Sequence, residues 1–248
     1  MTQRLSMMGC LMDNLTMEET VARVAAFVRS GTPHQHVVLN VDKLVKASRD
    51  PELRRIINHC DLVSVDGMPV VWAARLLGKP LKERVAGIDL FEALMQHAAA
   101  AGWRVFLLGA RDEVVAGVKH IYEQKYRGLI IAGYRDGYWR PEEEGQVAAQ
   151  VQASRADLLF VAISSPKKEQ FLGRYQARMG VPFAMGVGGT FDVAAGLVRR
   201  APRWMQASGL EWFYRFLQEP RRMFRRYFID DIAFIWLFLK EAANNNNK

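Results

Sequence analysis

Short apolar segments alternate with longer amphipathic ones along most of the chain, and this alternation restricts the fold more than any other feature. Segments with the composition of buried strands lie at residues 36–41, 61–65, 104–108, 129–132, 157–163 and 181–187. Helical patterns cover residues 16–30, 51–60, 70–77, 90–101, 113–126, 141–154 and 167–179. Strands that alternate with helices build a mostly parallel sheet with helices on both faces. The sequence therefore predicts an α/β fold with a Rossmann-like sheet.

The positive charge is concentrated toward the C-terminus. The 248-residue chain has a formal net charge of +8, and most of that excess follows residue 198. A charge of this size predicts an anionic partner, which could be nucleic acid, an anionic membrane surface or a phosphorylated ligand. We predict an α/β body at residues 1–198, a basic, aromatic-rich helical appendage at 199–243 and a polar tail at 244–248.

Arginines and large aromatic side chains are interleaved in the predicted appendage. The arginines before residue 228 are Arg199, Arg200, Arg203, Arg215, Arg221, Arg222, Arg225 and Arg226. Between residues 199 and 227 only Glu211 and Glu219 oppose them. Fixed cations beside amphipathic rings are typical of a surface that meets phosphates at a membrane interface. A core helix with a solvated basic side is the alternative.

Export and membrane-spanning signals do not stand out in the sequence. No apolar run approaches the roughly 20 residues that a bilayer-spanning helix needs, and residues 232–239 could at most lie in the interface. The N-terminal residues lack the apolar run of a signal peptide. Cys10 and Cys60 cannot form a disulfide framework, so they predict reduced thiols and a cytosolic compartment.

Polar residues and glycines follow the predicted strands. Those at strand ends are Asn40, Asp66, Gly109, Gly133, Ser164 and Gly186. Ligands of open α/β sheets bind outside the carboxyl ends of the strands. We therefore predict the pocket at this edge of the sheet.

Asp66 and Asn40 are candidates for direct contact with a substrate. A carboxylate at a strand end could act as general base on an acceptor hydroxyl. The local sequence favours a plainer interpretation, a turn or helix N-cap aspartate before Gly67 and Pro69. Asn40 could likewise orient a sugar hydroxyl or form an Asx-turn.

Three cationic residues could hold phosphates. Arg84 lies in a short polar turn, where it could bind a pyrophosphate or be exposed to solvent. Lys167 and Lys168 open a helix, where their charges oppose the helix dipole. An anion bound between the lysines and the free N–H groups would remove that conflict, and two solvated lysines are the alternative.

The glycines after the last strand could also approach a phosphate. Gly186 and Gly188 would let backbone N–H groups come close to an anion, and Asp192 could accept from ribose hydroxyls or be a first-turn carboxylate. Gly109 is at most part of a weak phosphate loop. The chain has no G-x-G-x-x-G or Walker sequence. Its histidines lack ligand spacing and no Asp-x-Asp ends a strand, so no metal site is predicted.

Short motifs follow one another in order along the chain: Asn40, Asp66-Gly67, Glu83-Arg84-Val85-Ala86-Gly87-x-Asp89, Gly133-Tyr134-x-x-Gly137-Tyr138, Pro166-Lys167-x-Glu169, Gly186-Val187-Gly188-Gly189, Arg200-Ala201-Pro202-x-Trp204-Met205, Gly209-Leu210-Glu211-Trp212, Tyr214-Arg215 and Gln218-Glu219-Pro220-x-Arg222. Together they resemble the WecG/TagA/CpsF family of bacterial glycosyltransferases. The resemblance covers about residues 8–228, and the order of the motifs makes it far more specific than any single one.

The resemblance implies an activity and its partners. Members transfer a sugar from a nucleotide donor, usually UDP-linked, to an undecaprenyl-diphosphate-linked sugar in cell-surface polysaccharide synthesis. The transfer inverts the anomeric centre and uses no metal or other cofactor. The implied partners are a nucleotide sugar, a polyprenyl-diphosphate-linked acceptor and an anionic membrane surface, and not nucleic acid. The implied location is peripheral, on the cytoplasmic face of the bacterial inner membrane, and homo-oligomerisation stays open.

The resemblance also implies roles for individual residues. By position, Asp66 is the catalytic base, with Asn40 and Arg84 beside it. The donor-binding residues are Gly109, Tyr138, Lys167, Lys168, Glu169, Gly186, Gly188 and Asp192. The residues for the acceptor diphosphate and the membrane are Arg215, Arg222 and Arg225.

Two positions depart from the family pattern. Val38 stands where the family often has Thr, and Lys168 stands where it has Gln. A cation in place of an amide leaves the donor sugar open among N-acetylmannosamine, its uronic acid and glucose. A non-catalytic basic module that binds a membrane or nucleic acid with steep salt dependence is the alternative function. A nucleotide-dependent oxidoreductase is disfavoured because the glycine fingerprint is missing.

Overall fold

The computed structural model of the chain describes residues 4–225 and 232–246. It begins with a hairpin of β1 (Arg4–Met7) and β2 (Cys10–Asp13). The body continues with α1 (Met17–Ser30), β3 (His34–Leu39), α2 (Val41–Arg49), α3 (Pro51–His59), β4 (Leu62–Val65), α4 (Met68–Leu76), α5 (Gly87–Ala101), β5 (Arg104–Gly109), α6 (Asp112–Lys125), β6 (Ile130–Arg135), α7 (Glu144–Ser154), β7 (Leu158–Ala162), α8 (Lys167–Met179), β8 (Phe183–Gly186) and α9 (Thr190–Ala194). The C-terminal helices are α10 (Arg203–Ala207), α11 (Glu211–Gln218), α12 (Pro220–Arg225) and α13 (Ile232–Asn246).

One sheet organises the body. Among the described residues it has six strands in the order β4-β3-β8-β7-β5-β6, and each neighbouring pair is parallel. Each strand predicted from the sequence is present, with ends that differ by a few residues. The predicted α/β fold is therefore confirmed, and the sheet is parallel throughout.

Helices cover both faces of this sheet. Val105 packs in a core cluster with Phe91 of α5 on one face, whereas Phe106 packs with Phe171 of α8 on the other. Successive side chains of a strand point to opposite faces. A strand that is buried on both faces therefore needs consecutive apolar residues, which is the pattern that marks these strands in the sequence.

The hairpin of β1 and β2 has no clear signal in the sequence, because strands of four residues carry too little alternation to be recognised. The chain turns at Met8 and Gly9, whose φ angles are positive at 51° and 78°. Arg4 Nε lies 3.2 Å from Asp13 Oδ1 across the hairpin. Asp13 also accepts a hydrogen bond of 2.8 Å from the backbone N–H of Val63. The hairpin therefore lies against β4, at the edge of the sheet.

Helix α2 lies where the sequence analysis predicted no helix. The side chain of Asn40 accepts a hydrogen bond of 2.9 Å from the backbone N–H of Lys43 and so forms the N-cap of α2. Asn40 therefore forms a local side-chain turn, as the Asx-turn interpretation predicts, and this turn starts a helix. Helix α2 is followed directly by α3, which begins at Pro51 after its N-cap Asp50. As a consequence Lys43 lies on a helix that begins at a strand end.

The last helix packs on the body. Phe234 of α13 is 8% exposed and lies in a core cluster that includes residues of α2, and Lys79 Nζ is 3.2 Å from Glu241 Oε1. On the same helix Trp236 is 72% exposed. The helix continues to Asn246, beyond the predicted start of the polar tail at residue 244. Within residues 4–225 and 232–246, no helix has both the length and the apolar character to span a bilayer.

Candidate active site

Two adjoining clefts lie at the carboxyl edge of the sheet. The polar cleft, of about 340 Å³, is lined by residues that follow β3, β4, β7 and β8. The apolar cleft, of about 400 Å³, is lined by residues of α4 and of the C-terminal helices. The residues that line both clefts are Asn40, Asp66, Glu211 and Arg215. A ligand in one cleft would therefore meet a ligand in the other at this shared wall.

Two buried lysines line the polar cleft. Lys43 of α2 and Lys168 of α8 are only 4% and 7% exposed. Glu169 lies between them, with its Oε1 2.9 Å from Lys43 Nζ and 3.5 Å from Lys168 Nζ. One carboxylate thus faces two cations, and the cleft keeps a net positive charge that favours an anion.

The pKa values of this triad reflect its burial. Burial, assisted by the charge of Lys43, lowers the pKa of Lys168 to about 8. Burial alone would raise the pKa of Glu169, but the two lysines outweigh it and lower that pKa to about 2. Lys168 is therefore not the solvated surface lysine that the sequence left as an alternative. An anion beside it would favour its charged form.

The glycines after β8 make room for Lys168. A Cβ atom at Gly186 would lie 2.7 Å from Lys168 Cε, so the flexible end of the lysine side chain would have to shift. Gly188 has a positive φ of 55°, and its backbone also lines the polar cleft. Both glycines thus lie at the cleft, and Gly186 leaves the space that the stem of Lys168 occupies.

Asp66 stands on the wall between the two clefts. Its carboxylate accepts a hydrogen bond of 3.1 Å from Arg84 Nη1, and about a third of its side-chain surface, 32%, stays open to solvent. Withdrawal from bulk water raises the pKa of Asp66; Arg84 opposes this rise, and Glu211 adds to it. Gly67, and not Asp66, is the N-cap residue of α4. The N-cap interpretation of Asp66 is therefore wrong.

A row of alternating charges joins Asp66 to the C-terminal segment. Arg84 Nη1 lies 3.1 Å from Asp66 Oδ1 and 3.4 Å from Glu211 Oε2. Glu211 Oε1 is 3.6 Å from Arg200 Nε, and Arg200 Nη2 donates to Asp89 at 2.8 Å. Arg200 thus finds a counter-charge in the body, Asp89, in addition to the two glutamates of residues 199–227.

The apolar cleft has a different lining. Its apolar lining residues include Met68 and Pro69 of α4, Trp212 of α11 and Phe234 of α13. Arg215 lies at the wall that it shares with the polar cleft. An apolar channel that leads to cations and a carboxylate suits an amphiphile with a charged head.

Several residues predicted to bind the donor do not line either cleft. They are Gly109, Tyr138, Lys167, Glu169 and Asp192. Gly109 ends β5, where a Cβ would lie 2.5 Å from the carbonyl oxygen of Ala162, and Tyr138 follows β6 and is 74% exposed. Both lie at the β5–β6 side of the sheet, where β5 neighbours β7, but neither lines a cleft.

The other three differ in their surroundings. Lys167 Nζ lies 5.2 Å from the centre of the Trp139 ring. Glu169 does not line the cleft but forms ion pairs with the two lysines that do, and Asp192 lies in the first turn of α9. The side chains of Arg222 and Arg225 fall outside the part of the chain that the structure describes.

Three site residues received no role from the sequence. Lys43 and Arg200 line the polar cleft, and Glu211 lines both clefts. Lys43 would have been found if Asn40 had been recognised as a helix N-cap, because Lys43 is the residue three positions later that the cap binds. Arg200 and Glu211 stand in the ordered motifs, but their ion pairs with Asp89 and Arg84 join segments that are distant in the sequence.

Comparison with known proteins agrees with the motif pattern. Residues 5–248 match the family described as "Glycosyl transferase WecG/TagA/CpsF family". A similar protein from Bacillus spizizenii is 38% identical over 186 residues, which cover 75% of this chain and 72% of the relative. That relative is named N-acetylglucosaminyldiphosphoundecaprenol N-acetyl-beta-D-mannosaminyltransferase.

Proposed function

The chain belongs to the WecG/TagA/CpsF family of glycosyltransferases, and from this premise we propose that it transfers a sugar from a UDP donor to a lipid-diphosphate-linked sugar with inversion. The observation that carries the proposal is the meeting of a cationic polar cleft and an apolar cleft at Asp66. A water-soluble diphosphate fits the first cleft, and a lipid-linked acceptor fits the second. The carboxylate of Asp66 lies where the two substrates would react.

The donor diphosphate would bind in the polar cleft. Lys43 and Lys168 share a single carboxylate, so a bound diphosphate would complete their charge balance. Charge-assisted hydrogen bonds of this kind are roughly twice as strong as neutral ones. The same cations would stabilise the charge that develops on the leaving UDP, and the transfer would therefore need no metal ion.

Asp66 would act as general base. It takes the proton from the acceptor hydroxyl, whose oxygen attacks the anomeric carbon as the bond from that carbon to the UDP oxygen breaks. The electron pair of the broken bond leaves with UDP, and attack from the opposite face inverts the anomeric centre. The raised pKa of Asp66 supports this role, because a base with greater proton affinity accepts the hydroxyl proton more readily.

The acceptor would enter through the apolar cleft. Trp212 and Phe234 line that cleft, and Arg215 lies where a lipid diphosphate would meet the polar cleft. Exposed aromatic side chains nearby, Trp204 and Trp236, are 66% and 72% exposed. Such residues suit docking at the interface of an anionic membrane, so we place the protein peripherally on the cytoplasmic face of the bacterial inner membrane.

The name of the Bacillus spizizenii relative suggests the substrates to test first. We propose N-acetylmannosamine as the sugar transferred and N-acetylglucosamine on undecaprenyl diphosphate as the acceptor. Lys168, which stands where the family pattern has Gln, lines the cleft. UDP-linked N-acetylmannosaminuronic acid and UDP-glucose therefore belong in the same experiment.

The test uses the full-length protein, the three UDP-sugars and a short-chain lipid-diphosphate N-acetylglucosamine. Mass spectrometry should detect one added sugar and released UDP, and NMR coupling constants should show an inverted anomeric centre. Parallel reactions with EDTA should proceed at the same rate. Binding to membranes or nucleic acid without turnover of any of these donors would instead favour the non-catalytic basic module.

A further inference from the structure

The guanidinium of Arg84 lies close to two carboxylates, those of Asp66 and Glu211. A single nitrogen of that group, Nη1, lies 3.1 Å from Asp66 and 3.4 Å from Glu211. Glu211 begins α11 and also lies 3.6 Å from Arg200. The carboxylate next to the base candidate therefore comes from the C-terminal segment, whereas Asp66 and Arg84 come from the body.

We propose that Glu211 is a positioning residue of the transfer reaction: it shares the Arg84 guanidinium with Asp66 and so keeps the base from being locked in a full ion pair. The inference rests on the proposed role of Asp66. A lone Arg84–Asp66 pair would hold the carboxylate as a weak, tightly bound base. Glu211 also attracts Arg84 and repels the negative charge of Asp66. Asp66 therefore accepts a proton more readily than it would in a lone pair with Arg84.

The charged residues of the clefts and of the loop before α5 are consistent with the sharing of Arg84 between Asp66 and Glu211. Arg84 lies in the loop before α5, Asp89 lies on α5, and Arg200, Glu211 and Arg215 come from the C-terminal segment. The lining of the polar cleft adds Asp42, Lys43 and Lys46 from α2, Lys168 from α8 and Arg199. Among the principal influences on the pKa of Asp66, loss of hydration raises it most, Arg84 lowers it, and Glu211 and Asp89 raise it.

Because two carboxylates and two arginines connect the segment to the body, the arrangement exists only when α11 lies on the body. Asp66 therefore shares Arg84 with Glu211 only while α11 lies on the body. The alternative is that Glu211 is only a structural clamp, which holds α11 on the body through the same ion pairs. The test must therefore measure a property that a clamp does not change.

That property is the titration of Asp66 itself. We would label the aspartate carboxyl carbons with ¹³C, assign Asp66 by its loss in Asp66→Asn, and titrate the ligand-free full-length protein. Glu211→Gln should move the Asp66 titration to lower pH, because it removes a negative charge and leaves Arg84 to Asp66 alone. The acidic limb of the kcat/KM profile should move in the same direction. The kcat should fall, by less than the roughly 10²–10⁴-fold loss expected for removal of the base.

Two further variants complete the test. Glu211→Asp keeps the charge and should keep the Asp66 titration near that of the wild type. Glu113→Gln removes a charge from an exposed site paired with Arg111 and should change neither quantity. An identical Asp66 titration in Glu211→Gln and Glu113→Gln, with activity lost evenly at all pH values, would overturn the proposal and leave Glu211 as a clamp. A titration that moves while the rate profile stays in place would instead remove Asp66 as the base.

Discussion

At the scale of single residues, the role of Asp66 gives the most direct prediction. Asp66→Asn keeps the shape of the side chain but cannot accept the acceptor proton, so turnover should fall by roughly 10²–10⁴-fold. UDP affinity should stay near the wild-type value, because the lysines of the polar cleft are unchanged. Calorimetric titration with UDP and a transfer assay on the same preparation would check both. Turnover equal to the wild type would exclude Asp66 from the mechanism.

Lys168 gives a second prediction at this scale. Its pKa of about 8 lies below the usual value for lysine because it is buried and lies near Lys43. The charged form binds the donor anion, so the donor KM of the wild type should rise as pH increases through about 8. Lys168→Gln should raise the donor KM at pH 7 by roughly 10- to 100-fold, as expected for loss of a charge-assisted hydrogen bond worth ~1.5–3 kcal/mol. It should also remove the pH dependence.

Lys167→Gln is the matched control for this experiment. It removes the same charge one residue earlier, but Lys167 lies over Trp139 and outside both clefts. The stability of Lys168→Gln adds a further check. Because the pKa of Lys168 is lowered in the folded state, the free energy of unfolding rises with pH between about 8 and the pKa of lysine in the unfolded chain. At pH 7 the charged lysine therefore carries a burial cost that Gln avoids. Equal donor KM values for both variants would show that Lys168 does not meet the donor.

At the scale of elements, α13 has two different faces. Phe234 is 8% exposed and packs in the core, whereas Trp236 is 72% exposed. Phe234→Ala should lower the free energy of unfolding by about 3 kcal/mol, the low end for removing a buried phenylalanine. Trp236→Ala should change it by less than ~0.5 kcal/mol. Urea denaturation of both variants would measure the difference, and equal stabilities would mean that α13 is not part of the folded body.

This packing also changes what truncation can show. The sequence predicts that the body folds without the segment from about Arg203 onward. The structure places Phe234 in a core cluster with α2 and joins Glu211 to Arg84 of the body through an ion pair. Removing these helices would uncover apolar surface and disturb Arg84. Point substitutions are therefore better tests of the C-terminal helices than truncation.

At the scale of the whole molecule, the sequence predicts the parallel sheet and its covering helices better than it predicts which residues lie together at the clefts. Consecutive apolar residues in strands such as 157–163 are a local signal, and it was sufficient for the parallel sheet. Which strand ends lie side by side is a non-local property. The sequence analysis therefore grouped Gly109 with Asp66 and Gly186, although β5 lies on the far side of β7 and outside the clefts.

The candidate site shows the same division between local and non-local information. Asp66, Asn40 and Gly186 are predicted from their strand-end positions and the family motifs, and Lys168 from its position at a helix start. All four line the polar cleft. The ion pair of Glu211 with Arg84 joins residues that are 127 positions apart in the sequence. No spacing rule detects such a pair. It emerges only when the C-terminal helices are placed against the body.

We propose that exposed aromatic residues dock the protein on the membrane and that Arg215 contacts the acceptor diphosphate. These two roles predict different results with two acceptors. One is undecaprenyl-linked and presented in anionic vesicles, and the other is a short, water-soluble diphosphate-linked sugar. Trp236→Ser should reduce vesicle binding and transfer to the first acceptor only, because an exposed ring at the interface contributes to docking but does not line either cleft. Arg215→Ala should reduce transfer to both acceptors, because Arg215 lines both clefts beside Asp66. Vesicle flotation and the two rates would be measured together, at low and high salt. If Arg215→Ala retains full transfer to the soluble acceptor, Arg215 serves membrane attachment and has no part in the reaction.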